Sequence, residues 1–292
     1  MTPKSSGIIN GMSVDVEDWF QVGAFESVIS RDDWDNLPLR VTDNVLRILD
    51  MFAEAQIKAT FFTLGWVARR NGALVRRIAD AGHEIASHGW DHARVFTLDR
   101  RQFGKDIAAA RKVLEDAAGV PVIGYRAPSF SIDQRTPWAY LELAEQGYAY
   151  SSSVAPVAHD HYGWRDAPRF AFHPLPANEL LEIPVTTAMV GGRRVAAGGG
   201  GFFRVLPYAF SRWAIRQVNR EEGRPAIFYF HPWEIDPAQP RVPGAPMRSR
   251  LRHYTNLERM ADKLRSLVNE FAWDRMDALA ERERRTVTGL AA

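Results

Sequence analysis

The chain contains no cysteine. Disulfides, a thiolate nucleophile and thiolate-bound metals are therefore excluded, and any metal must be held by histidine or carboxylate. Long apolar runs are also missing. No stretch is long enough to cross a bilayer, and the opening MTPKSSGIINGMSVDVEDWF lacks the apolar core of a secretory signal. The chain thus reads as soluble and cytoplasmic, with no integral membrane segment. An excess of one charge sign is absent too: 37 Lys and Arg stand against 35 Asp and Glu, a formal net charge of +2. The surplus of arginine lies after residue 240 and not in a stripe with interleaved aromatics, so nucleic acid is not expected as a partner. No repeat or low-complexity linker divides the chain, which excludes a solenoid and argues for one domain over 1–292.

What the chain does have is a folded protein's composition, with 46% apolar and 25% charged residues. Short β-branched or aromatic runs alternate with segments of helical period. GIINGMSVDV reads as a strand, and Val41, Val45, Ile48, Leu49 and Phe52 form one helical face with Thr42 as its cap. IKATFFTLG, HEIASH, VIGYRA and YAYSSSV are strands, separated by helices over WVARRNGALVRRIADAGH, DRRQFGKDIAAARKVLEDAAG and TPWAYLELAEQG. Such β/α alternation through about residue 154 is the signature of a parallel sheet or barrel. Residues 155–204 break the rhythm around a strand LLEIPVTT, and the tetraglycine 198–201 is a flexible or close-approach segment. The rhythm resumes with a helix YAFSRWAIRQVNREEG, an apolar strand PAIFYFH, and a helix opening on the capping-box pattern Thr255-x-x-Glu258.

Four strand ends carry chemically able residues. HEIASHGWDHARV sets His88 and His92 four apart, on one helical turn or a tight loop, as two ligands of one ion require; His83 packs in the strand. The H-E-x-x-H pattern of metalloproteases fails, because Ser87 stands where the second histidine is needed. SVDVEDWF crowds Asp15, Glu17 and Asp18 together at the end of the first strand, where mutual repulsion is costly without a cation. One carboxylate with two imidazoles is a common catalytic set that leaves a position open. GYRAPSF adds Arg126 and FYFHPWE adds His231, each after an apolar run. That is the arrangement expected at the C-terminal mouth of a parallel barrel.

In this order and at these intervals SVDVED, SHGWDH, RAPSF and FYFHP resemble the motifs of the polysaccharide deacetylase family, carbohydrate esterase family 4 or NodB-homology group. The likeness spans residues 10 to about 235. The stretch with GGGFFRVLPY and the C-terminal extension 236–292 resemble the subfamily found beside exosortase and exopolysaccharide loci. The resemblance implies a distorted (β/α) barrel of about seven parallel strands with a C-terminal helical extension. It further implies one divalent ion, zinc first and cobalt or nickel as alternatives, serving hydrolysis of an N-acetyl group. Carried over by position, His88, His92 and Asp18 are the metal ligands, with Glu17 a rival for the carboxylate. Asp15 is then the base, Arg126 its orienting partner and His231 the acid. The partner implied is an N-acetylated glycan or a lipid-linked oligosaccharide, the latter placing the protein peripherally at the inner membrane. The chain departs from the family at Gly89, where Ser87 substitutes for a supporting hydroxyl, and at YSSSV, which lacks the usual Asp behind the acid. His231 then leans on Glu234 or another acid. Trp19, Trp90, Trp164 and Trp233 lie near the motifs, one or two of them as sugar platforms. Arg241, Arg248, Arg250 and Arg252 form a solvated tail, with a polyanionic glycan or a diphosphate as their alternative use.

Overall fold

The computed structural model describes residues 7–158, 163–176 and 178–289. Its strands are β1 (Ile9–Val16), β2 (Thr60–Thr63), β3 (Glu84–Ser87), β4 (Gly124–Tyr125), β5 (Tyr150–Ser151), β6 (Leu181–Glu182), β7 (Thr187–Val190), β8 (Arg193–Ala196), β9 (Ile227–Phe230) and β10 (Ala272–Asp274). The helices are α1 (Val41–Glu54), α2 (Gly65–Arg70), α3 (Gly72–Asp80), α4 (Arg100–Ala118), α5 (Ala139–Glu145), α6 (Gly200–Val205), α7 (Tyr208–Arg216), α8 (Met247–Tyr254), α9 (Leu257–Glu270) and α10 (Met276–Gly289). Apart from the antiparallel hairpin β7–β8, these strands all pair in parallel, in the order β10-β1-β2-β3-β4-β5-β6 with β9 also on β1, and Phe172 adds one antiparallel bridge to Glu182 of β6. A parallel sheet is covered on both faces, which is why β1 from Asn10 to Val16 and all of β2 are buried.

The sheet curls into an incomplete barrel, and the gap between β6 and β9 is closed by irregular chain. Thr186 N–H donates to the Ile227 carbonyl at 3.2 Å and Tyr229 N–H to the Gly198 carbonyl at 2.8 Å. A Cβ on Gly198 would stand 2.3 Å from the Ile227 carbonyl oxygen, so only glycine lets the chain approach β9 this closely. The first part of the tetraglycine is thus a buried seam, the close-approach alternative of the two.

Several local expectations change. The helix expected from Trp66 onward breaks at Asn71, whose side chain accepts a hydrogen bond from Leu74 N–H and starts α3 anew. Thr42 does not cap α1; its hydroxyl accepts from Asn71 Nδ2. Nor does Thr255 form a capping box, since its hydroxyl turns back to the Leu251 carbonyl and Asn256 precedes α9 without a side-chain cap. The stretch after residue 236 is more than helical. It sends β10 into the sheet beside β1, and the first N–H groups of α10 reach Thr60 Oγ1 at 2.7 Å and a Glu84 carboxylate oxygen at 3.0 Å. Thr60 and Glu84 begin β2 and β3, so α10 closes the end of the barrel opposite the mouth. Among the described residues no helix is long and apolar enough to cross a membrane.

Candidate active site

Because all sheet strands run parallel, their C-terminal ends gather at one mouth. After β3 the chain enters a loop, not a helical turn: Gly89 has φ 76° and His92 φ 61°, and the His88 and His92 rings end 5.4 Å apart. The His88 Nδ1–H donates to the Arg126 carbonyl at 2.9 Å, which leaves Nε2 free to bind an ion and fixes the ring's orientation. Ser87 supports the loop, its Oγ accepting from Gly89 N–H at 3.3 Å. His83, by contrast, is packed between Phe52 and Phe61 and accepts from Ala59 N–H, as a core histidine.

The carboxylate that joins the two histidines is Glu17. Ligand atoms of Glu17, His88 and His92 all lie within 4.8 Å of one another. Glu17 Oε2 is buried without a hydrogen bond while His92 Nε2 stands 2.9 Å away, two lone-pair atoms turned toward one point. Burial by itself raises the Glu17 carboxyl, yet His92, His231 and His88 around it hold it well below the usual carboxylate range. Burial also draws His88 down to about 4. Both groups are therefore deprotonated at neutral pH, as ligands must be. This donor set of one carboxylate and two imidazoles suits a divalent ion of the zinc type.

Asp18, assigned above as the ligand, is a correction. Its Oδ1 accepts from Trp19 N–H at 2.8 Å and its Oδ2 from Arg40 N–H at 2.8 Å and Val41 N–H at 3.0 Å. It does from a distance what Thr42 was expected to do locally, satisfying the free amides at the start of α1. The strand ends at Val16 and Glu17 N–H turns back to the Asp15 carbonyl at 3.0 Å, so the period of β1 does not extend to residues 17 and 18. Asp18→Ala is expected to lower the unfolding free energy by about 1–3 kcal/mol, since it leaves buried amides unpaired. Metal content should be unchanged. Urea denaturation with elemental analysis checks both, and metal loss at full stability would reverse the assignment.

Asp15 belongs to a second group. The fully buried Arg126 donates from Nη1 to Asp15 Oδ1 at 2.6 Å and Ser13 Oγ at 2.8 Å, while Nε and Nη2 bond the carbonyl and hydroxyl of Ser152 at 3.0 Å each. Its guanidinium lies 4.1 Å from the Phe62 ring. Arg126 is thus fully buried behind Asp15, its guanidinium held by Asp15, Ser13 and Ser152.

His231 follows β9. Its Nε2 lies 4.0 Å from Asp15 Oδ2 and 3.6 Å from Glu17 Oε1, so it faces the same point as the ligands. Its Nδ1–H donates to Glu234 Oε2 at 3.1 Å. Burial alone would lower the imidazole, but Glu17, Glu234 and Asp15 bring it up to about 9. It is therefore cationic near neutral pH, the state an acid needs. The sheet end YSSSV does other work: Ser152 holds Arg126, and Ser153 Oγ accepts from Ala127 N–H. Trp233 is buried, stacks on His231 at 5.1 Å and donates its indole N–H to Glu17 Oε1 at 3.1 Å, so it builds the site instead of offering a sugar platform. Trp19 is likewise buried, with its indole N–H on the Pro38 carbonyl. The sequence reading missed Arg204, which pairs with Glu234; no local signal marks it.

The polysaccharide deacetylase family model matches residues 32–150, and a second model, DUF3473, described as a domain of unknown function, matches residues 152–281. A peptidoglycan-N-acetylglucosamine deacetylase of Bacillus cereus is 31% identical over 94 residues, 32% of this chain and 34% of that protein. A chitooligosaccharide deacetylase of Sinorhizobium fredii is 33% identical over 70 residues, 24% of this chain and 33% of that protein. The peptidoglycan-N-acetylglucosamine deacetylase PgdA of Listeria monocytogenes is 30% identical over 88 residues, 30% of this chain and 19% of that protein. The match thus spans between about a fifth and about a third of these relatives' own length. Among solved structures, a Mycobacterium smegmatis protein assigned as a polysaccharide deacetylase superposes with a TM-score of 0.59 at 21% identity, covering 98% of this chain and 94% of that one. The PuuE allantoinase gives 0.59 at 18% identity, covering 97% and 92%. At these identities the likeness establishes the fold.

Proposed function

We propose that this chain, which carries a polysaccharide deacetylase domain, is a metal-dependent hydrolase. It removes the N-acetyl group from N-acetylhexosamine units of a bacterial exopolysaccharide or its lipid-linked precursor and releases acetate. The observation that carries the reading is the meeting, at one barrel mouth, of the Glu17, His88 and His92 cluster with a carboxylate on one side and a cationic imidazole on the other. The exopolysaccharide substrate is the narrower part, supported by the resemblance of GGGFFRVLPY and the C-terminal stretch to the exosortase-associated subfamily. We take the chain as one working domain, since β1 near its start and β10 near its end are neighbours in one sheet.

Glu17, His88 and His92 would hold a divalent cation, zinc the first choice, whose charge would acidify a water and polarise the acetamide carbonyl. Asp15 Oδ2, free of Arg126, takes a proton from the attacking water. Arg126 keeps that carboxylate aimed. His231 gives its Nε2 proton to the sugar nitrogen, because an amide anion is too basic to leave unaided. Glu234, bonded to Nδ1, holds the ring in place during that transfer.

The test is acetate release from N-acetylglucosamine oligomers by the purified protein. Chelation should abolish it and zinc or cobalt should restore it. No acetate with any divalent metal, or release that survives complete chelation, would sink the proposal. Hydrolysis of a cyclic ureide without acetate release would move the chain to an allantoinase-like reading on the same barrel.

A further inference from the structure

We infer that Arg204 is the positioning residue of His231, and that the glycine-rich segment GGGGFFR exists to bring it there. The inference rests on the reading of His231 as the acid. The Glu234 carboxylate is shared between two masters. Its Oε2 accepts from the backbone N–H of His231 at 3.0 Å and from ring Nδ1 at 3.1 Å, and its Oε1 accepts from Arg204 Nε at 2.7 Å. Both side chains are almost fully buried, at 2% and 1% exposure. Such a pair costs a large desolvation, so it is held only where every remaining donor is placed. Arg204 meets that demand: Nη1 donates to the carbonyls of His253 at 3.0 Å and Thr255 at 2.7 Å, and Nη2 to the carbonyl of Arg252 at 3.0 Å. Only the planar guanidinium fork reaches a carboxylate and three carbonyls at once.

Gly200 and Arg204 are four residues apart on α6 and therefore share one helix face. A Cβ on Gly200 would stand 2.0 Å from Glu234 Oε2. The absence of a side chain at the first helical position thus lets α6 lie directly over the carboxylate, with the arginine one turn later gripping it. The end of α8 completes the support. Trp233 is sandwiched between His231 at 5.1 Å and His253 at 4.1 Å, with interplanar angles of 18° and 14°. The acid histidine is therefore anchored through Glu234 and Arg204 to residues 252–255 of the C-terminal stretch, far along the chain from the motifs that carry the chemistry.

The test compares wild type with Arg204→Lys, which keeps the charge but loses the fork, and with Gly200→Ala, which keeps Arg204 but crowds the carboxylate. In the metal-free protein, the hydrogen-bonded ring N–H proton of His231, assigned by its loss in His231→Ala, is read by NMR. In the zinc-loaded protein, kcat and KM are measured on an N-acetyl oligomer and on an aryl acetate ester. Both variants should shift or broaden the ring proton. They should lower kcat on the amide by about 10-fold or more with KM within about twofold, since a misaimed acid loses part of the 10² to 10⁴ such a group supplies. The ester, whose leaving group departs unprotonated, should change far less. Equal losses on the two substrates, or an unmoved ring proton in both variants, would show Arg204 to be a fold contact only. Should wild type release no acetate, the deacetylase reading fails, and the ring proton alone still decides whether Arg204 positions His231.

Discussion

Glu17→Gln, His88→Ala and His92→Ala are each expected to leave the protein folded, with little bound metal and no measurable turnover. Each removes one of the three ligands proposed above, and loss of even an outer-shell partner weakens a metal site by roughly 10- to 100-fold, so loss of a ligand should exceed about 100-fold. The Glu17 variant is the most informative of the three. An amide keeps the size of the side chain and its oxygen, but it cannot supply the negative charge that Oε2 now presents without a hydrogen-bond partner. Elemental analysis after gel filtration reads the outcome. Full occupancy in the Glu17 variant alone would return the carboxylate role to another acid; full occupancy in all three would dissolve the site.

His231→Ala should retain both metal and fold and lose about 10² to 10⁴ in turnover on an N-acetyl sugar, the range a positioned acid contributes. The ring lies 4.0 Å from Asp15 and 3.6 Å from Glu17, close enough that one substrate nitrogen can be served by it while the water is served by Asp15. In the metal-free protein Glu17, Glu234 and Asp15 bring its pKa up to about 9 against the effect of burial. An aryl acetate ester is the control. If amide and ester rates fall together, the ring places substrate or supports the mouth, and the acid role is withdrawn.

Much of this site is written in short sequence stretches. The parallel barrel was readable because both its strands and its helices announce themselves by period, and Asp15, His88, His92, Arg126 and His231 were singled out because they stand at strand ends, which the structure brings to one mouth. Two kinds of feature were not readable. Asp18 was misassigned since its three amide partners, Trp19, Arg40 and Val41, include two that lie more than twenty residues away. Arg204 went unnoticed since its carboxylate is thirty residues distant and its carbonyls about fifty. Likewise Asn71 interrupts what the apolar pattern drew as one helix, because periodicity records which side of a helix is buried and not where a side chain intercepts a backbone N–H.

The chain by itself determined the alternation of strands and helices, the absence of thiol chemistry, and the presence of imidazole and carboxylate at strand ends. These follow from residue type and local period, which are properties of neighbouring residues. Only the tertiary structure decided which carboxylate of Asp15-Val16-Glu17-Asp18 faces the histidines, what supports His231, and that a C-terminal stretch read as a helical extension supplies both a strand of the sheet and the carbonyls behind the acid. The physical reason is that a carboxylate's role is fixed by the donors that reach it, and a buried carboxylate must be met by them. Here those donors come from the start of α1, from α6 and from the residues just after β4 and β9, brought together by packing alone.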